Sequence, residues 1–185
     1  MATSTTVPRL MTIEEYDALP EDGLKHELLW GELVSVAPNV QHMKLVGRID
    51  RALGGYVDAH GLGVVGSEGT FQFMTDLPLV LVPDVAFVRS ENVPPHDQQV
   101  KGNIRVVPDL AIEVVSPSET SRTIHAKANA YLDQGVQLVV IYPEREEVII
   151  WSPDRTTRVL GAVDELSFGE IVPGFRLPIG TLFED

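Results

Sequence analysis

The sequence predicts a mixed α and β fold, and three observations lead to that prediction. Apolar runs of strand length recur, as in "LVPDVAFV" and "DLAIEVV". Two stretches, 40–60 and 121–135, instead repeat apolar residues at helical spacing. The order strand, helix, strand between Asp109 and Tyr142 predicts a parallel crossover inside an otherwise antiparallel sheet.

The N-terminal region is expected to contribute one short helix and one hairpin. In "TIEEYDALP", Thr12 and Glu15 have the spacing of a reciprocal capping box, which predicts a helix that ends near Pro20. The segment "KHELLWGELVSV" has the composition of two short strands on either side of Trp30–Gly31. We therefore expect these two strands to pair through a tight turn.

A long amphipathic helix is predicted from Val40 to His60, because apolar residues recur there at helical spacing and the glycines of "HGLG" follow. The recurring apolar residues are Val46, Ile49, Leu53, Tyr56 and Val57. The other face carries Lys44, Arg48 and Arg51. This basic face is a candidate surface for nucleic acid, although charged helix faces are more often simply solvated.

Strands are expected to dominate the rest of the chain. "GVVGSEGTFQF", "LVPDVAFV" and "DLAIEVV" each have strand character, and "QLVVIYP" and "EEVIIWS" are expected to form a further strand pair. Between them, "SRTIHAKANAYLDQG" predicts a second helix that ends at Gly135. The turn-rich C-terminal segment is expected to pack as short edge strands.

Composition limits the class of protein. The chain has 185 residues and a hydrophobic content of 44%, which suits a flexible tail at 1–11 followed by a single domain at 12–185. It has no cysteine, so disulfides and thiolate metal sites are excluded. Neither a secretory signal nor an apolar run of membrane-spanning length is present, so we expect a cytoplasmic protein. The net charge of −13 argues against a general coating protein for nucleic acid.

Glu113 lies in the middle of a strand whose two faces are both largely apolar. Such a strand is central in its sheet, and a bare carboxylate there would cost several kcal/mol. Glu113 must therefore be paired, hydrogen-bonded, protonated or bound to a cation.

Asp84 is the predicted partner of Glu113, because it opens the preceding strand and sequential strands are usually neighbours. Two converging carboxylates repel each other unless a cation lies between them, and hard oxygen ligands suit Mg²⁺ or Mn²⁺. A simpler alternative remains. Asp84 would then cap the turn after Pro83, and Glu113 would form a structural ion pair.

Lys127 lies on the apolar stripe of the second predicted helix, together with Ile124, Ala128 and Tyr131. A helix that returns across the sheet would bring its ammonium group over the two carboxylates. There it could stabilise the charge that develops on a phosphate. A lysine whose stem packs on apolar surface while its head reaches water is the common alternative.

Several motifs together resemble a known family. They are "HELLWGELV", His42 at the start of the long helix, "PDVAFV", "PDLAIEVVSPSE", "KANAYLDQGV" and "VVIYPE". In order and spacing they are similar to the Uma-two family of endonuclease-like proteins, in the PD-(D/E)XK superfamily. The resemblance runs from about Thr12 to the C-terminus. It implies the restriction endonuclease-like fold, with a central mixed sheet flanked by helices.

The resemblance also implies roles for individual residues. Asp84 and Glu113 match the two acidic residues that hold the metal ion and support catalysis. Val115 occupies the position of the motif lysine, so the strict motif is broken. Lys127 matches a lysine that the family carries in the following helix instead.

Two further residues match family positions. Glu27 matches an N-terminal acidic residue that can complete the metal site. His42 matches a frequent family histidine, for which a hydrogen-bonding role is at least as plausible as a catalytic one.

The leading hypothesis is a Mg²⁺- or Mn²⁺-dependent endonuclease that hydrolyses DNA phosphodiester bonds, with Asp84, Glu113 and Lys127 as catalytic residues. Duplex cleavage would favour a homodimer with two-fold symmetry. The alternative hypothesis is a non-catalytic binding protein that retains the nuclease fold.

Overall fold

The computed structural model describes residues 9–36, 39–95, 102–117 and 119–184. Most of the predicted tail at 1–11 lies outside these ranges. Within it, the Met11 N–H donates a hydrogen bond to the Gly31 carbonyl. The chain beyond the tail forms a mixed α and β structure.

The described residues form four α-helices and twelve strands. In chain order they are α1 (Ile13–Asp17), β1 (Lys25–Leu29), β2 (Glu32–Val36), α2 (Val40–His60), β3 (Gly63–Ser67), β4 (Phe71–Phe73), β5 (Leu79–Leu81), β6 (Val85–Arg89), β7 (Leu110–Val114), α3 (Ser121–Asp133), β8 (Gln137–Tyr142), β9 (Glu147–Trp151), β10 (Thr157–Leu160), β11 (Glu165–Leu166), β12 (Leu177–Pro178) and α4 (Gly180–Phe183).

A six-stranded sheet with the order β10-β9-β8-β7-β6-β3 forms the centre of the molecule. Its strands pair antiparallel except β7 and β8, which are parallel and are connected through α3. The parallel crossover predicted between Asp109 and Tyr142 is therefore confirmed. All five residues of β7 are buried, so β7 is the central strand that its apolar faces predicted.

A second sheet with the order β2-β1-β5-β4 corrects two predictions. "GVVGSEGTFQF" and "LVPDVAFV" were each expected to form one strand, but each is divided between the two sheets. β3 and β4 are separated at Glu68, whose φ of 56° is incompatible with an extended strand. β5 and β6 are separated at Pro83, which has no N–H to donate to a sheet ladder.

The helix ends follow their capping residues. Thr12 and Glu15 form the predicted reciprocal capping box at α1. The helix α2 has the predicted bounds, with Asn39 as N-cap and Gly61 in the left-handed region after its end. The C-terminal segment forms the expected short strands and one unpredicted helical turn, α4.

The two faces of the central sheet carry separate cores. On one face α2 packs through Leu45, Ile49, Leu53 and Val57. On the other face α3 packs together with residues of the second sheet, including Phe71, Phe73 and Leu81. No described helix has both the length and the apolar character needed to cross a bilayer. Since Ile112 and Val114 lie in the first core, the intervening Glu113 projects towards α3.

Candidate active site

Asp84 and Glu113 converge because β6 and β7 are neighbours. The antiparallel register pairs Val85 with Ile112, which places Asp84 beside Glu113. Asp84 is 2% exposed and its Oδ2 accepts a hydrogen bond of 2.7 Å from the Val114 N–H. Asp84, just before β6, and Glu113 in β7 therefore lie side by side in the sheet, and a shared metal ion between their carboxylates stays a prediction.

Both carboxylates contact one ammonium group, that of Lys25. Its Nζ lies 2.6 Å from Asp84 Oδ1 and 3.6 Å from Glu113 Oε2. The Lys25 side chain is 16% exposed. Burial alone would lower the pKa of Lys25, but the charges of Glu113 and Asp84 outweigh burial and raise it.

Lys25 was not among the site residues predicted from the sequence, although its spacing from Glu27 indicates a shared position. Lys25 and Glu27 are two residues apart in β1, so their side chains lie on the same face of the strand. Because Glu27 was predicted to face the site, Lys25 on the same face of β1 could have been predicted to face it as well.

Glu113 is held from the α3 side. Its Oε2 accepts a hydrogen bond of 2.7 Å from Lys127 Nζ, and its Oε1 accepts one of 2.9 Å from the Tyr131 hydroxyl. Burial raises the pKa of Glu113 to about 7, against the opposing charges of Lys127 and Lys25. Repulsion from Asp84 also raises the pKa of Glu113, but it contributes less than burial.

Lys127 faces inward, as its place on the apolar stripe predicted. Its side chain is 4% exposed and its Nζ lies 2.7 Å from Glu113, 2.9 Å from Glu27 and 3.9 Å from Glu119. Burial alone would lower the pKa of Lys127, but Glu113 and Glu27 raise it well above its usual range. Lys127 is therefore a charged group buried among carboxylates.

Glu27 projects from β1 towards Lys127. Its Oε1 accepts a hydrogen bond of 2.9 Å from the Val82 N–H, and its Oε2 forms the ion pair with Lys127. That buried Oε2 has no well-oriented hydrogen-bond donor among the described residues. Both oxygens thus face groups other than Asp84, and a metal-ligand role for Glu27 stays a prediction.

His42 lies in the first turn of α2, where Asn39 caps the helix. Its Nε2 is 3.2 Å from Asp84 Oδ1, and this hydrogen bond raises the pKa of His42. Burial would raise the pKa of Asp84, but the contacts with His42 and Lys25 lower it well below its usual range. The family histidine is therefore a partner of the Asp84 carboxylate.

The basic residues of α2 lie apart from this cluster. Arg48 donates a hydrogen bond of 2.7 Å from its guanidinium to the Leu182 carbonyl, so it helps to hold α4. Lys44 and Arg51 are exposed. No ion pair among the described residues joins any of the three to Asp84 or Glu113.

The donor set of the cluster suits a hard cation. Asp84 and Glu113 offer carboxylate oxygens, which are hard ligands, and both contact the Lys25 ammonium, at 2.6 and 3.6 Å. In the described part of the chain, no set of three or more His, Asp or Glu side chains is arranged to hold a metal ion. Asp84 and Glu113 are thus the side chains that could bind one, with water completing the ligand shell.

Comparisons with known proteins agree with this architecture. The family model Uma2, described as "Putative restriction endonuclease", matches residues 13–180. A crystal structure from Anabaena variabilis ATCC 29413, described as a "putative nuclease belonging to DUF820", superposes with a TM-score of 0.83. It is 19% identical, and the match covers 94% of this chain and 97% of that one. No curated protein matches the chain.

Proposed function

The chain belongs to the Uma2 family, whose model covers nearly all of it, and we propose that it is a metal-dependent endonuclease that hydrolyses DNA phosphodiester bonds. The family description supports the reaction class, and the fold is that of a nuclease-like structure. The metal requirement, the DNA substrate and the residue roles are our proposal.

One observation carries the proposal: Asp84, which directly precedes β6, and Glu113 in the neighbouring β7 both contact the Lys25 ammonium, at 2.6 and 3.6 Å. Asp84 and Glu113 would hold Mg²⁺ or Mn²⁺. When bound, such an ion supplies an activated water and neutralises charge on the phosphate. A cleft lined by Lys25, His42, Glu68 and Lys127 surrounds the two carboxylates.

The surrounding side chains keep the two carboxylates in place. The Val114 N–H and His42 each bind one oxygen of Asp84. Lys127 and the Tyr131 hydroxyl each bind one oxygen of Glu113. We therefore assign Lys127 first to positioning Glu113, because its ion pairs are all with carboxylates. A direct contact between Lys127 and the substrate phosphate stays a prediction.

Nuclease activity should depend on both the metal ion and Glu113. Purified protein with Mg²⁺ or Mn²⁺ should nick supercoiled plasmid, and EDTA should abolish nicking. Glu113→Gln should lower the cleavage rate by at least about a hundredfold, because an amide is a poorer metal ligand of the same shape. Nicking is measured on agarose gels over time.

Asp109→Asn is the matched control, because Asp109 directly precedes β7 and its carboxylate accepts a hydrogen bond from the Arg89 N–H, away from the site. This variant should cleave at the parent rate. Equal cleavage by Glu113→Gln and the parent protein would contradict the assignment.

A non-catalytic binding protein is the second candidate function. It is favoured by Lys25 and Lys127, which form ion pairs with the buried carboxylates without any metal ion. Metal binding without plasmid nicking would support this alternative.

A homodimer is part of the first proposal, because cutting both DNA strands favours two sites related by a two-fold axis, and two-fold dimers are the commonest assemblies.

A further inference from the structure

Lys25 is the least expected member of the site, because its ammonium contacts both of the carboxylates that would bind a metal ion. It is hydrogen-bonded to Asp84 and within ion-pair distance of Glu113. We propose that Lys25 is a built-in counter-ion, which a divalent cation must displace before it can bind Asp84 and Glu113. This inference rests on the metal site of the proposed function, at Asp84 and Glu113.

The charge of the cluster supports displacement. Among the described residues, four carboxylates, those of Glu27, Asp84, Glu113 and Glu119, contact two ammonium groups, those of Lys25 and Lys127, and Asp84 also contacts the His42 imidazole. Of these two groups, Lys127 contacts three carboxylates and is nearly fully buried, whereas Lys25 is more exposed. Lys25 is therefore the cation that can leave.

A second cleft beside the site can accept the Lys25 ammonium. Lys25 and Glu68 line both the cleft of the carboxylate pair and a larger open cleft beside it. That open cleft is acidic, with Asp17, Glu21 and Asp22 in its lining. A lysine has a flexible four-carbon stem, so the ammonium can move from one cleft to the other without a change in the backbone.

Displacement predicts that Lys25 weakens metal binding. Lys25→Met should bind Mn²⁺ at least about tenfold more tightly than the parent protein, because it removes a positive charge next to the ligands. Binding is measured on the full chain by loss of the free-Mn²⁺ EPR signal. Lys25→Arg, which keeps the charge, should not bind more tightly than the parent.

Arg158→Met is the control for net charge. Arg158 is exposed on the outer strand β10, three strands away from β7. It should leave Mn²⁺ affinity unchanged. Three outcomes would each overturn the proposal. Lys25→Met could bind Mn²⁺ no more tightly than the parent, Lys25→Arg could bind Mn²⁺ as tightly as Lys25→Met, or the parent protein could fail to bind Mn²⁺.

A measurement on the parent protein keeps the test independent of how the variants fold. The chain has only four lysines, so the lysine side-chain resonances can be assigned by NMR, with Lys25→Arg identifying Lys25. On titration with Mg²⁺ the Lys25 resonance should move towards that of the exposed Lys44. An unchanged Lys25 resonance at saturating Mg²⁺ would overturn the inference.

The two proposals can fail separately. Tighter Mn²⁺ binding by Lys25→Met without any plasmid nicking would support the counter-ion and reject the nuclease. Metal-dependent nicking, together with equal Mn²⁺ affinities of Lys25→Met and the parent, would support the nuclease and reject the counter-ion.

Discussion

Lys127 is the residue on which the buried charges of the site depend. Its ammonium lies between Glu113 and Glu27, and the side chains of all three are at most 10% exposed. A buried ion pair adds little net stability, but removing one partner leaves an uncompensated charge in a low-dielectric interior. Removing the Lys127 ammonium would take an ion-pair partner from both Glu113 and Glu27.

Lys127→Met should therefore lower the free energy of unfolding by about 3–5 kcal/mol, measured by urea denaturation in EDTA at neutral pH. Adding Glu113→Gln should restore part of that loss, since it removes one of the two stranded charges. The exposed Lys44→Met should change stability by less than about 0.5 kcal/mol. A Lys127→Met protein as stable as Lys44→Met would show that the pairs contribute little.

The β1–β2 hairpin is the element that brings Lys25 and Glu27 to the site. Its two turn residues, Trp30 and Gly31, have φ angles of 49° and 85°. A two-residue turn with both residues in the left-handed region matches the right-handed twist of the strands it joins. Leu10 packs directly over Gly31. The turn thus sets the register in which β1 presents its site residues.

Gly31→Ala should destabilise the protein by about 1–3 kcal/mol, because the new side chain is strained at this φ. Its Cβ would also lie 2.6 Å from the Leu10 Cβ. Gly55→Ala is the matched control, since Gly55 is helical and has open space around it; it should raise stability by up to about 1 kcal/mol. Thermal unfolding of both variants measures the difference, and equal stabilities would show that the turn tolerates a side chain.

At the scale of the whole molecule, the site lies where two sheets and two helices meet. β1 comes from the second sheet, whereas β6 and β7 belong to the central one. The helices α2 and α3 add His42 and Lys127 from opposite faces of the central sheet. This site is embedded in a chain of net charge −13, so any binding of DNA relies on local basic groups.

If Lys44 and Arg51 contact DNA phosphates, replacing either with alanine should reduce the slope of log affinity against log salt by about 1. Fluorescence anisotropy with a labelled duplex measures the slope, with Ca²⁺ in place of Mg²⁺ to slow cleavage. Arg158→Ala should leave the slope unchanged. Unchanged slopes for Lys44→Ala and Arg51→Ala would place the DNA on another surface.

The sequence by itself determined α1, α2 and α3, most strands and the position of Asp84 beside Glu113. Helical periodicity and capping residues act within a few positions, so the bounds of α2 and the inward face of Lys127 follow from local pattern. The pairing of Asp84 with Glu113 needed only the further rule that successive strands are neighbours.

Only the tertiary structure decided how two apolar runs divide between two sheets, where Glu27 points and which cation lies between the carboxylates. These features depend on the pairing of β1 with β5 and on α3 packing across β1 and β8, which are far apart in the chain. Local patterns do not specify such partners. The ammonium of Lys25 contacts Asp84, 59 residues away in the chain. A carboxylate that is buried on folding requires a nearby positive charge, and the fold places Lys25 beside it.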